Sequence, residues 1–390
     1  RPADLLIPAT KKLWSKVEPP KGGKKKIKRG QRADKTFELE ERECEEINAA
    51  LSDEVDVTGA HTISANRQVK RVFQGITPGH AGFVLSHKEK QNILKTDASS
   101  AEVIHPYLIG RELLTGDGTP ERWVIDFEQH DQVKARESAG AFEYIRKQVL
   151  PDIQSKADAE TGDDRTRRNH LQQWWIHWRS RADRTAAAKS LNRRYFACSR
   201  VTKRPIFVFF AIDIRPGDAL QTFVFDDDYS FGLLQCAAHF LWFITNCSKL
   251  KSDYRYTPPS VFDTFPWPQG PSFTGPSKKQ IRAVAEAGRE VRRVRGEALK
   301  VITGGLRAVY RTLELPGKHP LKDAHAALDQ AVLDAYGFSA KKDLLKQLLD
   351  LNHAVAAREQ AGEPVVAPGV PPAFGDPKAG GLITDDCIRP

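Results

Sequence analysis

RYFACSRVTKRPIFVFFAIDIRPGDALQTFVFD, residues 194–226, is the stretch that decides the fold class. RYFACSRV, IFVFFAIDI and QTFVFD are rich in β-branched and aromatic residues, and KRP and RPGDAL divide them as turns would. Short strands joined by tight turns are expected here. Arg193, Arg194, Arg200, Lys203 and Arg204 bracket these strands. A hairpin carrying them on one exposed edge could grip phosphates or read guanine edges. A hairpin that is simply solvated fits the same residues equally well.

Downstream, SFGLLQCAAHFLWFITN (230–246) has the apolar content of a buried helix. The next stretch, CSKLKSDYRYTPPSVFDTFPWPQG (247–270), follows no helical or alternating period. It places Lys249, Lys251 and Arg255 among aromatic residues, and Pro258, Pro259, Pro266 and Pro268 would break either regular element. Prolines this dense limit the entropy lost when such a segment docks. The three cations are free to face phosphates, and Tyr254 and Tyr256 could brace Arg255 by stacking. A proline-stiffened hinge without DNA contact is the competing interpretation. Beyond Ser272 the character changes: Ser277 and Gln280 form a capping-box signal, and Ile281, Val284, Val291, Val294 and Ala298 recur at helical spacing. Three more helical patterns follow, and from Pro364 a Pro/Gly-rich tail is expected to lie on a partner surface or to be disordered.

Upstream, residues 1–36 hold twelve Lys or Arg against three acids, including KGGKKKIKRG at 21–30. ELEERECEEINAAL (38–51) has a helical look, GITPGHAGFVLS (75–86) reads as a turn feeding a strand, and RWVIDF (122–127) alternates as a strand does. AGAFEYIRKQVLPDI (139–153) is a helix stopped by Pro151. Trp174, Trp175 and Trp178 fit packing better than base stacking. The expected organisation is α+β, a β-rich domain followed by a helical one. The divisions fall at 1–72 (basic loop and helical connector), 73–271 (β-rich domain), 272–363 (helical domain) and 364–390 (tail).

With 390 residues, 40% of them hydrophobic, the chain can bury a sizeable core. The net charge of +10 and pI near 9.3 favour a polyanionic partner. Five scattered cysteines without C-x-x-C spacing suggest reduced thiols in a cytoplasm, and no apolar run is long enough to span a membrane. Methionine is absent altogether. We expect an excerpt of a longer polypeptide whose methionines are left unwritten.

No phosphate-binding glycine loop, no G-x-G-x-x-G after a strand, no H-E-x-x-H and no G-x-S-x-G occur. His80, His87, His105 and His130 stand alone. Asp226, Asp227 and Asp228 could hold a cation, but a turn with one aspartate capping the next helix is the simpler interpretation. The expected catalytic, cofactor and metal residues are therefore none.

LKSDYRYTPPSVFDTFPWP (250–268) resembles a signature of bacterial DNA methyltransferases of the MmeI-like restriction–modification family. FQGITPGHAGFVLS (73–86), VIHPYLIGRELL (103–114), RYFACSRVTKRPIF (194–207) and VYRTLELPG (309–317) match in order, so the resemblance runs from about Asn48 to Pro372. It implies the target recognition region with its helical extension, downstream of a core that binds S-adenosylmethionine and methylates the exocyclic amine of adenine. It also implies duplex DNA as partner, an upstream methyltransferase core in the same polypeptide, a cytoplasmic setting and a role in restriction–modification or phage defence. The family's Asn-Pro-Pro-aromatic motif is missing: TPPS (257–260) has the prolines without the asparagine or the aromatic residue. The cofactor is expected to sit on the core and not on this chain. A DNA nuclease subunit and a non-enzymatic nucleic-acid-binding protein are the alternatives.

Overall fold

The computed structural model describes residues 9–16, 37–44, 55–116, 118–161, 165–191, 193–250 and 253–389. The chain forms two compact units, 1–59 and 60–390. In the first, β1 (Ala9–Lys16) pairs antiparallel with β2 (Phe37–Cys44), with Trp14 opposite Leu39 and Lys12 opposite Glu41. The helix expected over 38–51 is therefore corrected for its first seven residues, which are strand. Cross-strand pairing overrides a local helical pattern once a partner strand is available. The basic run at 21–30 lies outside the described residues.

The second unit is α+β. Its central sheet has the order β3 (Val72–Gln74), β11 (Leu220–Phe223), β7 (Arg194–Ser199), β9 (Val208–Ala211), antiparallel throughout. These are the strands expected from 194–226. Phe196 stacks on Phe223 at 5.7 Å and meets Phe207, Phe209 and Phe231 edge-on, so one sheet face is an aromatic core. Face-to-edge contacts of this kind add to the stabilisation that area burial gives. A second sheet, ordered β10 (Arg215–Pro216), β5 (Ile104–Leu108), β6 (Arg122–Ile125), β4 (Val84–Leu85), covers a separate cluster that includes Phe83, Phe142, Trp174 and Trp175. A three-stranded ribbon, β12 (Ser248–Leu250), β13 (Asp253–Arg255) and β8 (Val201–Thr202), extends from the junction after β7.

The apolar helix expected over 230–246 is two helices, Asp228–Gln235 and Ala237–Asn246. Cys236 between them is extended, and Asp329 accepts from the Ala237 amide at 2.7 Å to cap the second. The first packs against the long helix Lys278–Val301, which begins with the expected Ser277/Gln280 capping box. A Cβ on Gly232 would lie 2.8 Å from Val284 Cγ1, so the two helices approach as closely as glycine allows. The helix expected from 139 runs Ala139–Gln148 and ends ahead of Pro151, which lies in the first turn of a second helix, Leu150–Asp158, and TPPS opens the short helix Pro258–Val261 instead of a turn. Proline suits the first turn of a helix because its missing N–H has no partner there. The expected loose tail is also corrected. Leu382 is buried, its carbonyl accepts from the Asp228 amide, and Ile388 bridges to Phe210 on β9.

Candidate nucleic-acid interface

A cleft of about 640 Å³ opens on the second unit where the central sheet meets the ribbon. One wall is the helix Ser64–Gln68 with the segment leading into β3, contributing Arg67, Lys70, Arg71 and Gln74. The facing wall is Arg255 on β13 with residues 256–263. Arg181 and Asp183 also line it, with Gln221 on the central sheet and Arg200 at the bend after β7. Six guanidinium or ammonium groups thus stand against two carboxylates, Asp183 and Asp263.

Local hydrogen bonds fix both walls. The Asn66 amide donates to the carbonyls of Phe262 and Phe265 at 3.0 and 2.8 Å, and Ile63 N–H donates to Asp263 at 2.9 Å. Glu359 accepts from the amides of Ser64 and Ala65, satisfying the helix's first N–H groups. Asn352 clamps His61 and Thr264 together. Phe262 and Trp267 pack on Phe225, anchoring the proline-rich segment to the β domain, as the aromatic half of 247–270 suggests. Tyr256 is buried, stacks on Phe243 and meets His239 at 3.0 Å, while Tyr254 packs edge-on against Phe243. Neither tyrosine braces Arg255. That expectation is corrected, because Tyr256 is buried against Phe243 and His239 and Tyr254 packs on the edge of Phe243.

The carboxylates are already engaged. Lys70 binds Asp183 at 2.5 Å, and Arg67 approaches Asp263 at 3.7 Å. Arg181 donates to Gln74 at 2.8 Å, and its backbone is left-handed at φ 56°. Non-glycine residues at such angles carry strain that concentrates at functional sites. Among the described residues Arg200 has no ion-pair partner, and its Nε is buried without a hydrogen bond to them. Burial, and next the neighbouring Arg255, push its pKa down.

Of the residues expected from sequence, Arg200 and Arg255 meet in this cleft. Lys203 and Arg204 line a second depression beside Arg307 and Arg311, with Arg204 4.0 Å over the Phe240 ring. Arg193 is exposed and pairs with Asp385. Lys249 is placed by its backbone in β12, and Lys251 lies outside the described residues. Arg194 is corrected. Its side chain is 0% exposed, bound to Asp228 at 2.6 Å and Asp386 at 2.7 Å, so it holds the sheet to the helices and does not face solvent. Asp228 also receives Arg289 and Arg292, and Asp227 caps the helix through Ser230 N–H at 2.7 Å, as expected of one aspartate in that triplet. Arg67, Lys70, Arg71, Arg181 and Gln221 are cleft residues that the strand-by-strand reading missed. The sequence signal for them was weak: VKR (69–71) and RSRADR (179–184) are ordinary charged connectors until the fold sets them face to face.

No group of three or more His, Cys, Asp or Glu among the described residues could hold a metal ion. No helix among them is long and apolar enough to cross a membrane. At TPPS the Thr257 hydroxyl donates to the Arg255 carbonyl, and Ser260 stands where an aromatic ring would stack on a base. These residues do not fit an adenine or S-adenosylmethionine pocket.

No curated protein matches the chain. A solved structure titled "Structure of Type IIL restriction-modification enzyme MmeI in complex with DNA has implications for engineering of new specificities" is similar, with a TM-score of 0.62 at 20% identity. The match covers 82% of this chain and 40% of that one, so this chain spans less than half of that protein's length. The family described as "MmeI, target recognition domain" matches residues 54–269, more than half of the chain. The chain belongs to the MmeI target recognition domain family.

Proposed function

We propose that the chain is the DNA-reading part of a restriction–modification methyltransferase. It holds duplex DNA in the basic cleft and presents it to a catalytic core in the same polypeptide. The observation that carries this reading is the pair Arg200 and Arg255, basic, without carboxylate partners among the described residues, in one cleft. A basic face on a rigid β scaffold is the electrostatic footprint of nucleic-acid recognition. The core would supply S-adenosylmethionine, which donates the methyl group, and adenine N6 would accept it. This chain's own residues bind and orient the duplex. A cytoplasmic location accords with the buried free cysteines Cys198 and Cys236.

Fluorescence anisotropy with duplex DNA at graded salt tests the proposal. Tight binding whose logarithm falls linearly with log salt is expected. Salt-independent binding, or none, removes it. Incubated with labelled S-adenosylmethionine and DNA, the purified chain should transfer no methyl group; transfer would overturn the assignment of chemistry to a separate core.

A further inference from the structure

The cleft contains two kinds of cation. Lys70 pairs with Asp183 and Arg67 approaches Asp263 at 3.7 Å, so each has a carboxylate beside it. Among the described residues, none forms an ion pair with Arg200 or Arg255. Asp218, the carboxylate acting on Arg200, forms no ion pair with it. The nearby Ser248 and Thr257 hydroxyls bond each other at 2.9 Å, and Thr257 donates to the Arg255 carbonyl at 3.2 Å, so their protons are committed.

The positions of the two arginines are fixed through the backbone. Arg200 N–H donates to Ala219 at 2.8 Å, and the Arg200 carbonyl accepts from Tyr256 N–H at 2.8 Å. Arg255 sits opposite Val201 and Ser248 in the ribbon register. Arg255 therefore projects from a strand paired on both sides and Arg200 from the bend between β7 and β8, its backbone bonded on both sides, which suits a site that must hold its geometry. Two guanidinium groups near each other, one with a buried and unpartnered Nε, form an arrangement that repels itself until an anion arrives.

A guanine edge offers acceptors but no net charge, so it would leave that repulsion uncompensated. A phosphodiester offers a full negative charge and two free oxygens, and each oxygen can accept from an arginine fork. The cleft is also concave, which suits a strand's backbone better than base edges inside a groove. Groove edges are reached by elements that protrude. We propose that Arg200 and Arg255 form a clamp for one backbone phosphate of the bound DNA, setting affinity and register without reading sequence. This rests on the cleft being the DNA face.

The test is anisotropy with the whole chain, on a duplex selected from a randomised pool and on duplexes carrying single base-pair changes in it. Wild type is compared with Arg200→Gln, Arg255→Gln and the double variant, each checked by circular dichroism. Because both arginines hold one phosphate, the double variant should lower the slope of log affinity against log salt by about 0.9, and neither single variant by more. Across a rise from 50 to 200 mM salt the double variant should therefore lose roughly 3.5-fold less affinity than wild type. The weakening should be uniform over all the duplexes. The lysine variants should keep the slope while binding more weakly, because the charge stays and the fork is lost. A loss concentrated on one base pair would make these residues base readers and overturn the clamp. Unchanged affinity and slope, with wild type still binding salt-sensitively, would overturn the clamp and leave the DNA-reading role intact. Failure of wild type to bind duplex DNA at all would remove both.

Discussion

Arg194→Met separates a structural arginine from a DNA-facing one. In the folded chain the Arg194 guanidinium donates to the Asp226 carbonyl at 3.0 Å, the Asp386 carbonyl at 2.9 Å, Asp386 Oδ1 at 2.7 Å and Asp228 Oδ1 at 2.6 Å. It also lies 3.8 Å from the centre of the Phe209 ring. Methionine keeps much of the volume and none of the donors. Removing one partner of a buried ion pair costs about 3–5 kcal/mol. Asp228 retains Arg289 at 2.7 Å and Arg292 at 2.8 Å, and Asp386 is 52% exposed, so the lower end, about 3 kcal/mol, applies. With a urea slope of about 3 kcal/mol per molar, the unfolding midpoint should fall by about 1 M. The salt dependence of DNA binding, measured where the variant is folded, should not move. A stability loss under about 1 kcal/mol, or a lowered salt slope in a fully folded variant, would refute the structural assignment.

Other expectations concern the same framework. Burial, then repulsion from Asp226 and Asp228, hold the Asp227 carboxyl up at about 6, against the lowering effect of its bonds from Ser230. A folded pKa above the unfolded value of 3.8 means this group's stabilisation is full below pH 3.8 and is lost as pH rises through 6. Asp227→Asn keeps a good cap and should flatten the fall in urea stability between pH 4 and 6. An unchanged pH profile would show that Asp227 ionises normally. Gly232→Ala should cost about 1–3 kcal/mol in thermal or urea unfolding, because its methyl would meet Val284 Cγ1 at 2.8 Å and the Val284 carbonyl at 2.9 Å. Arg181→Gly relaxes a left-handed backbone while removing a cleft cation, so melting should hold or rise as duplex affinity falls. Intact affinity would take Arg181 out of the interface.

The strands of the central sheet and the long helices were legible because their signals are local. Phe, Val and Ile runs separated by RPGDAL mark strands, and the spacing from Ile281 to Ala298 marks a helix. What sequence could not separate was one arginine from the next. Arg193, Arg194 and Arg200 look alike in the text, yet one is exposed beside Asp385, one is wholly buried against Asp228 and one points into the cleft. Strand alternation assigns faces only after the pairing partner is known, and Arg194's partner Asp386 lies 192 positions away. The strand at 37–44 was hidden for the same reason, since its partner is separated from it by a long basic segment. The cleft wall at 66–74 gave no warning because its role comes from Asn66 reaching the carbonyls near 262–265.

The 192-residue separation of Arg194 from Asp386 also sets an order of events during synthesis. At about 5–20 residues per second, the second carboxylate emerges roughly 10–40 s after the arginine it must meet. Throughout that interval β9 lacks its bridge to Ile388, and Arg194 has at most Asp228 to neutralise it. A chain terminated early would carry this half-neutralised charge permanently. Such a product should unfold and be cut by proteases more readily than one that includes Asp386 and Ile388.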